Sequence, residues 1–275
     1  MKKILTRIGI VLGALVLVAL LLLGYLKKVT TECREGQGTV AIEACTLMID
    51  HVSPEAYKFT YLNLRRGHYA VAGIKKEEFS DIAEIMKLAD SGRVAIPAAA
   101  LANVYERAAV LNSDMGNKED SLKCLDKAVQ LGSKDAATYI TRGQAKLAEG
   151  KYVDAIADLK KAEDLGAKQV QLYMGLGSAY LGANDYNNAY LNLKKSEPLA
   201  VSSPDVIMLN RQLGLTCFEL KLYDEAVTHM TKALLAGPCP DCSSVIKMSQ
   251  DFINKARAPK TKPKPAVNKK KARRK

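Results

Sequence analysis

The chain has 275 residues, 48% of them apolar but only 6% aromatic, with no Trp; this Ala/Leu/Val/Ile-dominated composition favours helices over sheets. The net charge of +12 is concentrated at the ends: residues 1–28 carry five basic side chains and no acid, residues 255–275 carry eleven and no acid, and residues 29–254 hold 25 Lys+Arg against 29 Asp+Glu. A uniformly basic, nucleic-acid-binding body is thereby excluded, because the bulk of the chain is mildly acidic.

The N-terminus, MKKILTR, leads into an uncharged apolar run at 8–26. At about 1.5 Å per residue that run suffices for a hydrocarbon core of roughly 30 Å. Residues 1–28 are therefore expected to form a transmembrane helix, an uncleaved signal anchor, since no small-x-small cleavage site follows it. Thr31 and Glu32 leave no lipidation box before Cys33. Lys2, Lys3 and Arg7 favour a cytoplasmic N-terminus and Lys27 and Lys28 oppose it. On balance the remainder is expected on the periplasmic side of a bacterial inner membrane. Gly9 and Gly13 form a G-x-x-x-G through which two such helices could pair as a weak homodimer, although glycines tolerated in an apolar helix account for it equally well.

Residues 29–101 read as degenerate helical repeats. GTVAIEACTLMID (38–50) is one helix, and 54–91 forms a hairpin with RRGHYAVAG in its first helix and FSDIAEIMKLAD in its second. From residue 102 onward the chain is periodic. Tyr105, Tyr139 and Tyr173 are 34 residues apart, and Leu125, Leu159 and Leu193 keep that spacing. Gly116 and Gly150 are followed by Asn184, Gly143 recurs as Gly177, Tyr152 as Tyr186, and Ala155 as Ala189. A fourth unit repeats the pattern with a three-residue delay around 202–204, placing Leu213, Gly214, Tyr223, Ala226, Ala233 and Pro238 in the columns. The small residues are expected where two helices cross closely, with Tyr and Leu filling the holes beside them.

This pattern resembles the tetratricopeptide repeat (TPR) family, with strong resemblance over 102–240 and weak resemblance over 38–101. Arg142, Lys146 and Asn210 depart from it, standing where the family has Leu or an aromatic residue. The resemblance implies an all-α, right-handed TPR α-solenoid with repeats at 102–135, 136–169, 170–203 and 207–240. A capping helix is expected at 241–256, with Val245, Ile246, Met248 and Phe252 on one side. The Pro/Lys-rich residues 257–275 are expected to be a disordered basic tail.

No Walker A, HExxH or G-x-S-x-G motif is present in the sequence. GLGSAYLG (175–182) lacks a preceding strand, and Gly177 already belongs to the helix-crossing column. His51, His68 and His229 are read as surface or packing residues. The chain is therefore not expected to be an enzyme or to hold a cofactor or metal. The resemblance implies instead a groove lined by Glu106, Ile140, Gln144, Leu147, Met174, Ser178, Leu181, Arg211, Leu215 and Phe218, fit for a helix or an extended peptide. Burial by the array itself is the competing fate of several of these side chains. The Lys/Asn set with which some relatives clamp a peptide carboxylate is missing.

Cys33 and Cys45 near one end, and Cys239 and Cys242 near the other, are candidates for disulfides, whose connectivity a sequence leaves open; Cys124 and Cys217 read as packing residues. AGPCPDC (236–242) admits a structural disulfide, a redox pair, half a metal site or free thiols. The reading that follows is a membrane-anchored interaction scaffold or assembly factor of a bacterial cell envelope. In it the basic tail touches anionic lipid or wall polymer, and nucleic acid is a disfavoured partner. The alternatives are a thiol-disulfide redox protein using Cys239 and Cys242, and a cytoplasm-facing adaptor whose tail binds nucleic acid.

Overall fold

A computed structural model describes the backbone of residues 2–52 and 54–257, and the side chains of 16–254 apart from Leu17, Val52, Ser53, Ser249, Phe252 and Ile253. Among the described residues every regular element is helical. The chain divides after residue 138 into two compact units.

In the first unit, α1 (Lys2–Glu35) is followed by α2 (Gly38–Leu47), which continues through a wider π turn at Met48–Val52. Then come α3 (Glu55–Ala72), α4 (Lys75–Ser91), α5 (Ala98–Asp114) and α6 (Lys118–Gln130). Val29 and Cys33 at the end of α1 pack with Ala44, Cys45 and Met48 of the next helix, and a disulfide joins Cys33 to Cys45. A second core gathers Leu62, Ile82, Ile85, Leu88, Val104, Ala108 and Leu111 from α3, α4 and α5.

α7 (Ala136–Ala148) belongs to the second unit from Tyr139 onward; there it pairs with α8 (Tyr152–Asp164), α9 (Val170–Gly182) with α10 (Tyr186–Ser196), and α11 (Ser203–Glu219) with α12 (Tyr223–Ala236), before the terminal α13 (Cys242–Arg257). The small-residue columns lie at helix crossings. A Cβ on Gly143 would come 2.9 Å from Leu159, one on Gly214 would come 2.7 Å from Met230, and one on Gly177 would overlap Leu193. Gly177 is therefore a packing glycine rather than part of a phosphate loop. The turn inside each hairpin needs a left-handed residue: Gly73, Gly116, Gly150, Asn184 and Lys221 all have positive φ there.

Polar residues replace the expected apolar packing at particular columns. Arg65 makes two bonds to Asp81, at 3.0 and 2.7 Å; sixteen residues separate them, as they do Arg142 and Asp158. Arg142 and Lys146, two departures from the repeat pattern, thus both hold the buried Asp158. Glu78, fully buried, is paired by both Nε and Nη2 of Arg107 at 2.6 and 2.7 Å. Removing one member of such a pair strands a buried charge.

The localisation expected from the N-terminus is corrected. Among the described residues no helix is long and apolar enough to cross a membrane. The described apolar part of α1 ends at Leu26. Lys27, Lys28, Glu32, Arg34 and Glu35 follow it, and the helix end packs on α2. A single-pass inner-membrane protein is accordingly not supported. The earlier part of the expected span, including the Gly9/Gly13 pair, lies outside the described side chains, and the basic tail from 258 onward lies outside the described residues.

Candidate functional site

The first helices of the repeats in the second unit share a groove of about 290 Å³, lined by Gln144 and Leu147 of α7, Gln171, Met174, Gly175 and Ser178 of α9, and Asp205, Met208 and Gln212 of α11. Its chemistry is mixed. Leu147, Met174 and Met208 supply apolar surface, and Met208 is half exposed; three amide side chains, one hydroxyl and one carboxylate surround them. Gln212 donates from Nε2 to Ser178 Oγ at 2.7 Å. Its Oε1 is buried without a hydrogen-bond partner among the described residues. A Cβ on Gly175 would approach the Leu159 side chain at 3.2 Å, so the leucine would have to give by a few tenths of an ångström.

A second group of polar side chains lies in the last hairpin of the same unit. Cys217 Sγ, a carboxylate oxygen of Glu225 and a ring nitrogen of His229 are within 4.8 Å of one another. Burial, together with the Glu225 charge, pushes the Cys217 thiol up to about 12. Burial likewise raises Tyr190, whose hydroxyl bonds Glu225 Oε2 at 2.9 Å, to about 12. His229 is buried, and its desolvation holds the imidazole below its ordinary value; its Nδ1 lies 2.9 Å from Asn210 Oδ1.

In the first unit a wider depression of about 500 Å³ between α3 and α4 is lined mainly by charged residues. Two of its ion pairs, Lys58–Glu84 and Arg93–Glu55, are internal to it.

No family model and no curated protein matches the chain. Solved structures do. The crystal structure of YrrB, described as a TPR protein with an unusual peptide-binding site, is 21% identical with a TM-score of 0.50, over 57% of this chain and 79% of YrrB. The crystal structure of the MamA protein is 22% identical with a TM-score of 0.51, over 66% of this chain and 92% of MamA. A mutant form of MamA is 15% identical with a TM-score of 0.54, over 66% of this chain and 99% of that one. The fold is that of the tetratricopeptide repeat.

Within the TPR frame the residues expected in the groove separate into groups. Gln144, Leu147, Met174 and Ser178 line it together. Ile140 is buried and Leu181 is half-buried away from the lining. Leu215 and Phe218 pack against Met230, Ala233, Cys239, Cys242 and Val245, the core beneath α13. Arg211 turns to Asp241, with Nε 2.8 Å from Oδ2. The cap therefore covers the inner positions of the last repeat. Glu106 belongs to the first unit, where it accepts from Ser133.

Cys239 and Cys242 are joined as a disulfide at the start of α13. Sequence reasoning missed Gln212, which sits four residues after Met208 on the same helical face. It also missed the association of Cys217, Glu225 and His229, since each falls in a different column of the repeat. The i, i+4 spacing of Glu225 and His229 was the one signal available.

Proposed function

We propose that this chain is a non-enzymatic protein-interaction scaffold that receives a short peptide segment of a partner in the groove of its second unit. One observation carries this reading: a partly apolar groove in which Leu147, Met174 and Met208 lie beside the side-chain amides of Gln144, Gln171 and Gln212. A peptide of matching chemistry places one aliphatic side chain on the Met/Leu floor. Its backbone meets the exposed amides of Gln144 and Gln171, and a basic residue sits near Asp205. YrrB, a TPR protein with a peptide-binding site by its own description, supports the same kind of use for this fold. Stacked repeats suit this role, because each adds a few side chains to one continuous surface.

The test is site-specific photocrosslinking in cells. A photoreactive residue replaces Met208, which is 52% exposed in the groove, or, as a control, Val153, which is 76% exposed and outside the groove. A partner should crosslink at 208, be absent at 153, and be lost when Leu147→Glu or Gln144→Glu is added. Equal crosslinking at both sites, or retention of the partner in the Glu variants, rules the groove out.

A further inference from the structure

Apart from the groove, the group of side chains between α10, α11 and α12 presents a set of donors that packing alone does not require. Cys217 sits in α11 and is a free thiol, unlike Cys33, Cys45, Cys239 and Cys242, which are paired as disulfides. Glu225 and His229 are four residues apart on α12 and so project from one face of that helix. The three ligand atoms lie within 4.8 Å of one another. Cys217 Sγ stands 3.9 Å from Glu225 Oε2.

The neighbouring residues determine which histidine nitrogen is available. Asn210 Nδ2 donates to the Val206 carbonyl at 2.9 Å, which leaves Asn210 Oδ1 as an acceptor. His229 Nδ1 at 2.9 Å from that oxygen must therefore carry the proton. In the neutral ring the lone pair is then on Nε2. An orienting hydrogen bond to the non-ligating nitrogen is the usual support of a metal-bound histidine. Tyr190 similarly holds the Glu225 carboxylate through its hydroxyl.

We propose that Cys217, Glu225 and His229 bind a zinc-class divalent transition-metal ion, with Asn210 as a positioning residue and water in the fourth position. One thiolate, one imidazole and one carboxylate suit an ion of borderline softness such as Zn²⁺, and exclude the all-oxygen preference of Ca²⁺ or Mg²⁺. With Zn–S of about 2.3 Å and Zn–N of about 2.0 Å, the edges of a tetrahedral site are roughly 3.5 Å. The donors thus close by about 1 Å, a movement available to Glu225, which is exposed. On binding, a metal–sulfur bond forms and the thiol proton passes to solvent. The thiolate and carboxylate charges then balance those of the ion. The bound ion would staple α11 to α12 in the last repeat, away from the residues that line the groove.

The experiment uses the full, untagged chain, stripped with chelator under non-reducing conditions so that both disulfides stay formed, and titrated with Zn²⁺ or Co²⁺ alone. Calorimetry should give one ion per chain, and the Co²⁺ form should show a sulfur-to-metal charge-transfer band with visible bands of tetrahedral intensity. Cys217→Ser should abolish the charge-transfer band, Glu225→Gln should weaken binding, and Cys124→Ser should change neither. Asn210→Ala should weaken affinity by roughly 10- to 100-fold while leaving the ligand set intact. Glu225 is at the surface, so its variant reports on binding even if a buried-site variant fails to fold. Absence of stoichiometric binding, a Co²⁺ spectrum without the sulfur band, or binding indifferent to both Cys217→Ser and Glu225→Gln overturns the proposal. Groove crosslinking, measured separately, stands or falls independently of these outcomes.

Discussion

Single residues in this chain carry two kinds of conflict, and each predicts a measurable consequence. Lys221 occupies the turn column that elsewhere holds Gly73, Gly116 and Gly150, and its φ is +63°. A left-handed L-residue costs about 1–2 kcal/mol, partly returned by the lower unfolded-state entropy relative to glycine. Lys221→Gly should therefore raise stability by about 0.5–1 kcal/mol, read as a higher denaturation midpoint at unchanged slope; a lower midpoint would show that the Lys side chain contributes more than its backbone costs. The second conflict is the buried charge. Burial pushes the Asp81 carboxyl up despite its two bonds to Arg65, and the two side chains are only 3% and 14% exposed. Arg65→Met leaves Asp81 unpaired and should cost about 3–5 kcal/mol, whereas adding Asp81→Leu should restore most of that loss. A double mutant no more stable than Arg65→Met would contradict this account. In the sequence, nothing in the spacing of Arg65 names its partner sixteen residues away on another helix.

At the scale of elements, the capping helix sets where the groove ends. The start of α13 brings Asp241 to Arg211, whose hydrogen bond holds that carboxyl below the ordinary range. A depressed folded value means the contribution is present above the unfolded pKa of about 3.9 and is lost as pH falls through the folded value. Both side chains are more than a third exposed, so the energetic effect is small after solvent screening. The clearer readout is titration of the Asp241 carboxyl by NMR. Arg211→Gln should move its midpoint upward toward about 3.9, and the stability gap between the two proteins should narrow below pH 4. Identical midpoints would mean that the pair does not form in solution. The helices themselves were legible in advance: the 34-residue columns locate the hairpins, and Gly116, Gly150 and Asn184 mark their turns. The fate of Arg211, Leu215 and Phe218 was not. Their repeat positions are those of groove residues, and only the presence of α13 over them converts them into core and ion pair.

For the molecule as a whole, the charge distribution and the repeat period bound the architecture before any coordinates. Repeats of this type share their packing with nearest neighbours, so a local pattern in sequence is close to a complete statement of local structure. The columns of small residues, the turn residues and the all-helical class follow from the sequence alone, since each rests on contacts between residues at a fixed, short separation. Selection among the groove candidates, the partners of Asp81 and Asp158, the disulfide pairing and the meeting of Cys217, Glu225 and His229 required the tertiary structure. These depend on which faces of different helices are brought together, and a one-dimensional period of 34 residues states that a face exists without stating what covers it.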